Sequence, residues 1–368
     1  MTTNITGKIT GIKYVPLLGE QLLEYDFTQF DINNIPKVCV VHDGKYTFAL
    51  SKWVSPKRSR TYPFAGVYNT LCHSKKITVI PVVKDEGKDG DRDFIQWDTV
   101  SLMSLLNVFV IFAYYDSAEA RRGKKQKITN QQFNVQFVNN KIRKIAQCGG
   151  SALCWNLNEL KTNFHHIFDK ACDAYRKIEK QTGVQLHSQE GLENFKKEIG
   201  KGVADLMNFS RHKSEQAQRR ETVTIQPKES LQSDSKAKVT ISDHQGGQYF
   251  LTTDETRIEG KKVILIESKH SKDALLPSMA DIKDGLMTII LFSNLTDVKV
   301  NEIPMKSTAV LTLTSAKIKG SIHSKDSNKA IDTFFEQNKL TAKRQELIKT
   351  LFEEANENNF TIEIRYSE

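Results

Sequence analysis

The spacing of apolar positions changes along the chain. Two short apolar runs, 38–41 and 46–50, flank Asp43-Gly44, a pair that favours a tight hairpin turn. Residues 77–83 and 108–115 are continuous β-branched and aromatic runs, the pattern of strands buried on both faces. A helical spacing over 98–106 lies between them, giving strand, helix and strand in the order of an α/β unit. From 129 to 146, 156 to 181 and 191 to 211, apolar residues recur every three or four positions and predict helices. Gly149-Gly150-Ser151 breaks the first two apart. Residues 211–236 turn polar and predict a linker or surface loop. Strand patterns then return over 238–241, 248–258 and 262–267, with turns at Gly246-Gly247 and Glu259-Gly260. A helix over 279–292 opens near Pro277 and carries Asp281 and Asp284 in its early turns. A strand over 309–314, a long helix over 328–354 and a strand over 360–366 complete the pattern.

These elements predict an α/β protein in three parts. An α/β region covers 1–150, a helical segment and linker 151–224, and a mixed sheet flanked by helices 225–368. With 368 residues, 39% hydrophobic and 26% charged, the chain has ample material for buried cores, and wholesale disorder is excluded. The opening MTTNITGKIT lacks a basic stretch followed by a long apolar one, so no signal peptide is expected. The longest apolar run, 108–115, falls well short of the ~20 residues that span a bilayer. The five cysteines are scattered without metal-ligand spacing, as reduced thiols of a cytoplasmic protein would be. Lys and Arg number 53 against 44 Asp and Glu, a net charge of +9 that points toward a polyanionic partner such as nucleic acid.

The chemistry concentrates near the end of the 262–267 strand. Asp254 lies on the strand before it, twelve residues separate Asp254 from Glu267, and Lys269 follows two positions on. A hairpin brings the carboxylates side by side, and side chains two apart on a strand share a face. Glu-x-Lys alone also arises as a solvated ion pair at a strand end. Here an apolar strand precedes it, an aspartate stands at suitable spacing and a helix follows. Hard Mg²⁺ takes one or two carboxylates plus waters and phosphate oxygens. Asp254 and Glu267 would supply carboxylates and the Ser268 carbonyl a third oxygen. Lys269 would orient the attacking water and stabilise developing charge, leaving a 5′-phosphate and a 3′-hydroxyl.

The pattern Asp254-x12-Glu267-x-Lys269 resembles the signature of the PD-(D/E)XK nuclease superfamily, with Thr253 where the name has proline. Leu265-Ile266-Glu267-Ser268-Lys269-His270-Ser271, Leu276-Pro277-Ser278 and residues 281–286 resemble blocks of type II restriction endonucleases, as do residues 90–99 and 151–156. The resemblance implies a PD-(D/E)XK core over 225–368, preceded by an α/β and helical recognition region. It implies Mg²⁺-dependent cleavage of double-stranded DNA at a specific short sequence, with Asp254, Glu267 and Lys269 catalytic. It also implies a cognate DNA methyltransferase as functional partner, and a homodimer if the site is two-fold symmetric. Asp243 and Glu255 are alternatives to Asp254.

Two further features remain open. Asp85, Glu86, Asp91, Asp93 and Asp98 form an acidic, glycine-rich stretch that would serve either as a metal loop or as a polar loop in which Arg92 pairs with its neighbours. The basic runs 56–60, 121–127 and 211–220 offer phosphate contacts, with Arg58, Arg60, Arg121, Arg122, Lys124, Lys125 and Lys127 the candidates for DNA binding. His165-His166 reads as a surface or partly buried pair on a helix.

Overall fold

A computed structural model describes residues 3–56, 61–123, 126–200, 204–208, 236–244 and 248–367. The chain forms two compact units, one of residues 21–212 and the other of residues 1–20 together with 213–368. Both are mixed α/β, with sheets flanked by helices. Among the described residues no helix is long and apolar enough to cross a membrane.

The unit of residues 21–212 is built on a five-stranded sheet. Its order is Glu24–Asp26, Val38–Asp43, Tyr46–Lys52, Lys76–Pro81 and Val108–Ala113. The second and third strands form the expected hairpin, and Gly44 adopts the positive φ that the turn requires. Lys76–Pro81 and Val108–Ala113 run parallel and are buried at every position, as their β-branched and aromatic runs predict. The helix Trp97–Leu105 lies between them in sequence. Helical spacing over-extends elsewhere. Ile128–Phe133 is a strand, paired antiparallel with Tyr115–Ala120, and the helix begins only at Val135. Asn134 caps it, its Oδ1 accepting from the Phe137 N–H at 2.7 Å. The predicted helix 156–181 is two helices, Ala152–Thr162 and Phe164–Thr182, that meet at Asn163. The third is the helix Gln189–Glu198 and a short helical stretch at 204–208. The predicted linker lies almost wholly outside the described residues, as do the turn at Gly246-Gly247 and the basic run 211–220.

The other unit contains two five-stranded sheets. In the first, Thr3–Ile9 runs parallel to Ala237–Asp243 and antiparallel to Thr296–Val300. The chain's first strand therefore belongs with the C-terminal part of the sequence, not with the α/β region expected over 1–150. Its inward positions are Ile5, Gly7 and Ile9; a Cβ at Gly7 would stand 3.1 Å from Leu295 Cδ2. The second sheet has the order Glu255–Glu259, Lys262–Ser271, Lys306–Ser315, Thr361–Tyr366 and Ser321–His323. Lys262–Ser271 and Lys306–Ser315 are parallel, a pairing that needs a long crossover, and the helix Met279–Ser293 lies on that connection. Ser278 caps the helix, its Oγ accepting from the Asp281 N–H.

The strand expected over 248–258 breaks at Thr253-Asp254. Gln248–Thr252 pairs with Ala237–Asp243 in the first sheet, and Glu255–Glu259 pairs with Lys262–Ser271 in the second. The long helix expected over 328–354 also divides, into Asn328–Gln337 and Ala342–Glu357, with Lys339 at φ 48° between them. Residues 14–18 lie against the second of these. The buried Glu354 carboxylate accepts from Tyr14 Oη and from the N–H groups of Leu17 and Leu18, and the Asn358 side chain bonds both the N–H and the carbonyl of Val15. A buried acid is stable here because it is fully engaged.

Candidate active site

The break at Asp254 positions the site. Glu255 pairs with Ile266, so the register continued by one residue sets Asp254 opposite Glu267. Side chains directly opposed in this way stand roughly 5 Å apart at Cβ. Asp254 is anchored to the neighbouring strand twice: its N–H donates to the Ile266 carbonyl at 3.1 Å, and its Oδ2 accepts from the Ser268 N–H at 2.8 Å. Lys269, two residues beyond Glu267 on the same face, brings its Nζ within 2.9 Å of Glu267 Oε1.

The structure adds a residue that the sequence pattern did not assign. Asp284, on the crossover helix, accepts from Lys269 Nζ at 2.7 Å through its Oδ2. Glycine at the next position lets the helix lie directly on the lysine. A Cβ at Gly285 would stand 2.7 Å from Leu311 Cδ1 and 3.2 Å from Lys269 Cε. The sequence does place Asp284 early in a helix just after the motif, but nothing in its spacing from Lys269 shows that the helix folds back over that strand.

Burial and the adjacent Asp254 charge push the Glu267 carboxyl up to about 8, against the pull of Lys269. Burial works to lower the Lys269 ammonium, but Glu267 and Asp284 outweigh it and hold it above the ordinary lysine range. Glu267 and Asp284 thus share one ammonium while Asp254 stands beside Glu267, and negative charge is in surplus.

Among the described residues, no three His, Cys, Asp or Glu side chains are arranged to hold an ion by themselves. Asp254 and Glu267 nevertheless fit Mg²⁺, which takes one or two carboxylates and keeps several waters. The mutual repulsion registered at Glu267 is what a cation between them would relieve.

The alternatives to Asp254 lie elsewhere. Asp243 is in the first sheet, accepting from Tyr249 Oη at 2.9 Å. Glu255 takes the opposite strand face from Asp254 and pairs with Arg257.

The second acidic stretch is tied into its own unit. Asp85 is buried, its Oδ1 accepting from the Gly87 N–H and lying 2.8 Å from His187 Nδ1. Glu86 holds Lys84 at 2.8 Å and Lys127 at 2.6 Å. Asp93 accepts from Ser55 Oγ, and Asp98 is buried. Arg92 donates to the Ser188 carbonyl at 2.8 Å and lies over the Phe94 ring. Of the basic candidates, Arg121 and Arg122 are exposed near the turn of the ribbon formed by Tyr115–Ala120 and Ile128–Phe133, while Lys127 is drawn onto Glu86. Arg58, Arg60, Lys124 and Lys125 lie outside the described residues. His165 is half-buried and His166 exposed on the helix Phe164–Thr182.

Comparison with protein-family models, curated proteins and solved structures gave no match.

Proposed function

We propose that this protein is a Mg²⁺-dependent endonuclease with a PD-(D/E)XK core that cuts double-stranded DNA at a specific short sequence, as type II restriction enzymes do. The reading rests on one observation above all: Asp254, Glu267 and Lys269 share one face of a hairpin whose second strand continues through a helix into a parallel neighbour. The charge distribution supports it. Residues 21–212 carry 28 Lys and Arg against 20 Asp and Glu, while the rest of the chain carries 25 against 24. The basic excess belongs to the unit that does not carry the acidic cluster, as expected where one unit holds phosphates and the other cuts them.

In this reading Asp254 and Glu267 hold the ion, with the Ser268 carbonyl as a further oxygen. When bound, Mg²⁺ supplies charge neutralisation at the phosphoryl oxygen and a lowered pKa for a bound water. Lys269 stays protonated and donates to the attacking water and to the charge that builds on the phosphate. The Ser268 N–H fixes the orientation of the Asp254 carboxylate. The products carry 5′-phosphates and 3′-hydroxyls. The exposed Arg121 and Arg122, with Arg58, Arg60, Lys124 and Lys125, supply phosphate contacts, while Lys127 is held by Glu86. The reading extends to a cytoplasmic homodimer acting on a two-fold site and opposed by a methyltransferase of the same specificity.

The test is plasmid DNA incubated with the full chain in Mg²⁺ and, separately, in EDTA. Discrete fragments in Mg²⁺ alone are expected. Cutting only at branches or ends would assign the centre to a repair nuclease instead. Binding without cutting, unchanged by Lys269→Ala, would make the protein a non-catalytic DNA binder and overturn the reading.

A further inference from the structure

We infer that Asp284 is a positioning residue that frees Glu267 for the metal by giving Lys269 a second carboxylate. The inference rests on the reading of this centre as a metal-dependent nuclease. Glu267 is wanted by two cations at once. Its Oε1 lies 2.9 Å from Lys269 Nζ, and the same carboxylate faces Asp254, across which an ion would bind. The Lys269 side chain is only 18% exposed, so water alone does not satisfy its charge. A buried ammonium without a partner is costly and turns to whatever carboxylate is nearest. Without Asp284, that carboxylate is Glu267, with Asp254 beside it. The ammonium then competes with Mg²⁺ for the ligands.

Asp284 weakens this competition by sharing the ammonium with Glu267. It takes Lys269 Nζ at 2.7 Å from the crossover helix, outside the pair of opposed strands that carry Asp254 and Glu267. The lysine keeps its charge and its place beside the scissile phosphate when Glu267 turns to the ion. The packing favours the arrangement, since Gly285 leaves room for Lys269 Cγ and Cε under the helix and Ser278 fixes the helix start six residues before Asp284. A lysine two positions after the glutamate would otherwise poison the site it serves.

A double-mutant cycle on Mn²⁺ binding separates this role from a structural one and from direct ligation. Mn²⁺ shares the preference of Mg²⁺ for carboxylates, and the paramagnetic resonance signal of free Mn²⁺ reports binding with no DNA cut. The full chain is titrated as wild type, D284N, K269M and D284N/K269M. D284N should weaken Mn²⁺ binding by about five-fold or more, and K269M should tighten it. In the K269M background D284N should change affinity by less than about two-fold, because the competitor is gone. Equal weakening in both backgrounds would show that Asp284 acts on the ion directly and would overturn the inference, as would D284N binding like wild type. D284S in the same cycle serves if D284N does not fold. Cleavage rate at saturating Mg²⁺ should fall in D284N and recover in D284E. If the wild type neither takes up Mn²⁺ nor cuts plasmid, the nuclease reading itself fails. If it does both and the cycle is additive, only the role of Asp284 fails.

Discussion

Glu86 is half-buried and Glu267 buried, both touch a lysine, and they end in opposite states. Burial works to raise Glu86, but hydrogen bonds and charge from Lys127 and Lys84 outweigh it and hold the carboxyl at about 2. Burial also raises Glu267, and there the neighbours do not compensate: Asp254 adds repulsion, Lys269 is shared with Asp284, and the carboxyl stands at about 8. The first arrangement balances its charge within the fold and holds a loop in place. The second leaves negative charge in surplus in a semi-enclosed position, the condition for taking up a cation. A lysine beside a glutamate therefore says little until the remaining charges are counted.

The sharpest way to break the contrast is to remove each lysine in turn. Lys269→Ala should lower DNA cleavage by about 10³-fold while a gel-shift assay shows DNA still bound. Lys84→Ala should leave the cleavage rate of the folded protein unchanged. The next largest effect is on stability in EDTA. A carboxyl whose folded pKa is raised stabilises the fold below its ordinary value near 4.5, and that contribution is lost as pH rises toward 8. Glu267→Gln should abolish this slope and exceed the wild type by about 3 kcal/mol at pH 8, read by thermal unfolding. Glu86→Gln should do the reverse. A depressed carboxyl stabilises above 4.5 and loses its contribution as pH falls toward 2. Solvent screening of this half-buried group reduces the effect, so the variant should be about 1 kcal/mol less stable at pH 7, a difference that vanishes in acid unfolding near pH 2. The smallest expected effect is at Gly285. Gly285→Ala forces Leu311 and Lys269 aside, which should cost about 1–2 kcal/mol and slow cleavage by displacing the ammonium.

The legible parts of this molecule were those that depend on local spacing. The runs that became Lys76–Pro81 and Val108–Ala113 read as strands because β-branched and aromatic residues fill them, Thr78 included, whose buried hydroxyl accepts from Ser51 Oγ. Glu267 and Lys269 share a face because strands repeat every two residues, and a hairpin at Glu259-Gly260 carries Asp254 back to Glu267. What stayed hidden depends on contacts distant in sequence or on single breaks. Thr3–Ile9 alternates, but Gly7 occupies an inward position and mutes the pattern. The helix spacing over 129–146 runs through Ile128–Phe133, whose strand character comes from its partner Tyr115–Ala120. Asn163 and Lys339 end helices that periodicity would carry onward. Asp284 was visible as a helix residue but not as a partner of Lys269, because that contact exists only once the crossover helix packs on its own strand.

The strand Thr3–Ile9 has a consequence for the order in which the molecule is made. Its neighbours on both sides, Ala237–Asp243 and Thr296–Val300, leave the ribosome only after all of residues 21–212. At roughly 5–20 residues per second, that first strand waits ten seconds or more with its edges unpaired, while the intervening unit can already fold. Asp254, Glu267, Lys269 and Asp284 likewise follow residues 21–212 along the chain. In a nascent chain the unit of residues 21–212 would therefore be complete before the cluster of Asp254, Glu267, Lys269 and Asp284 exists, and under the proposed nuclease reading the chain could bind before it could cut.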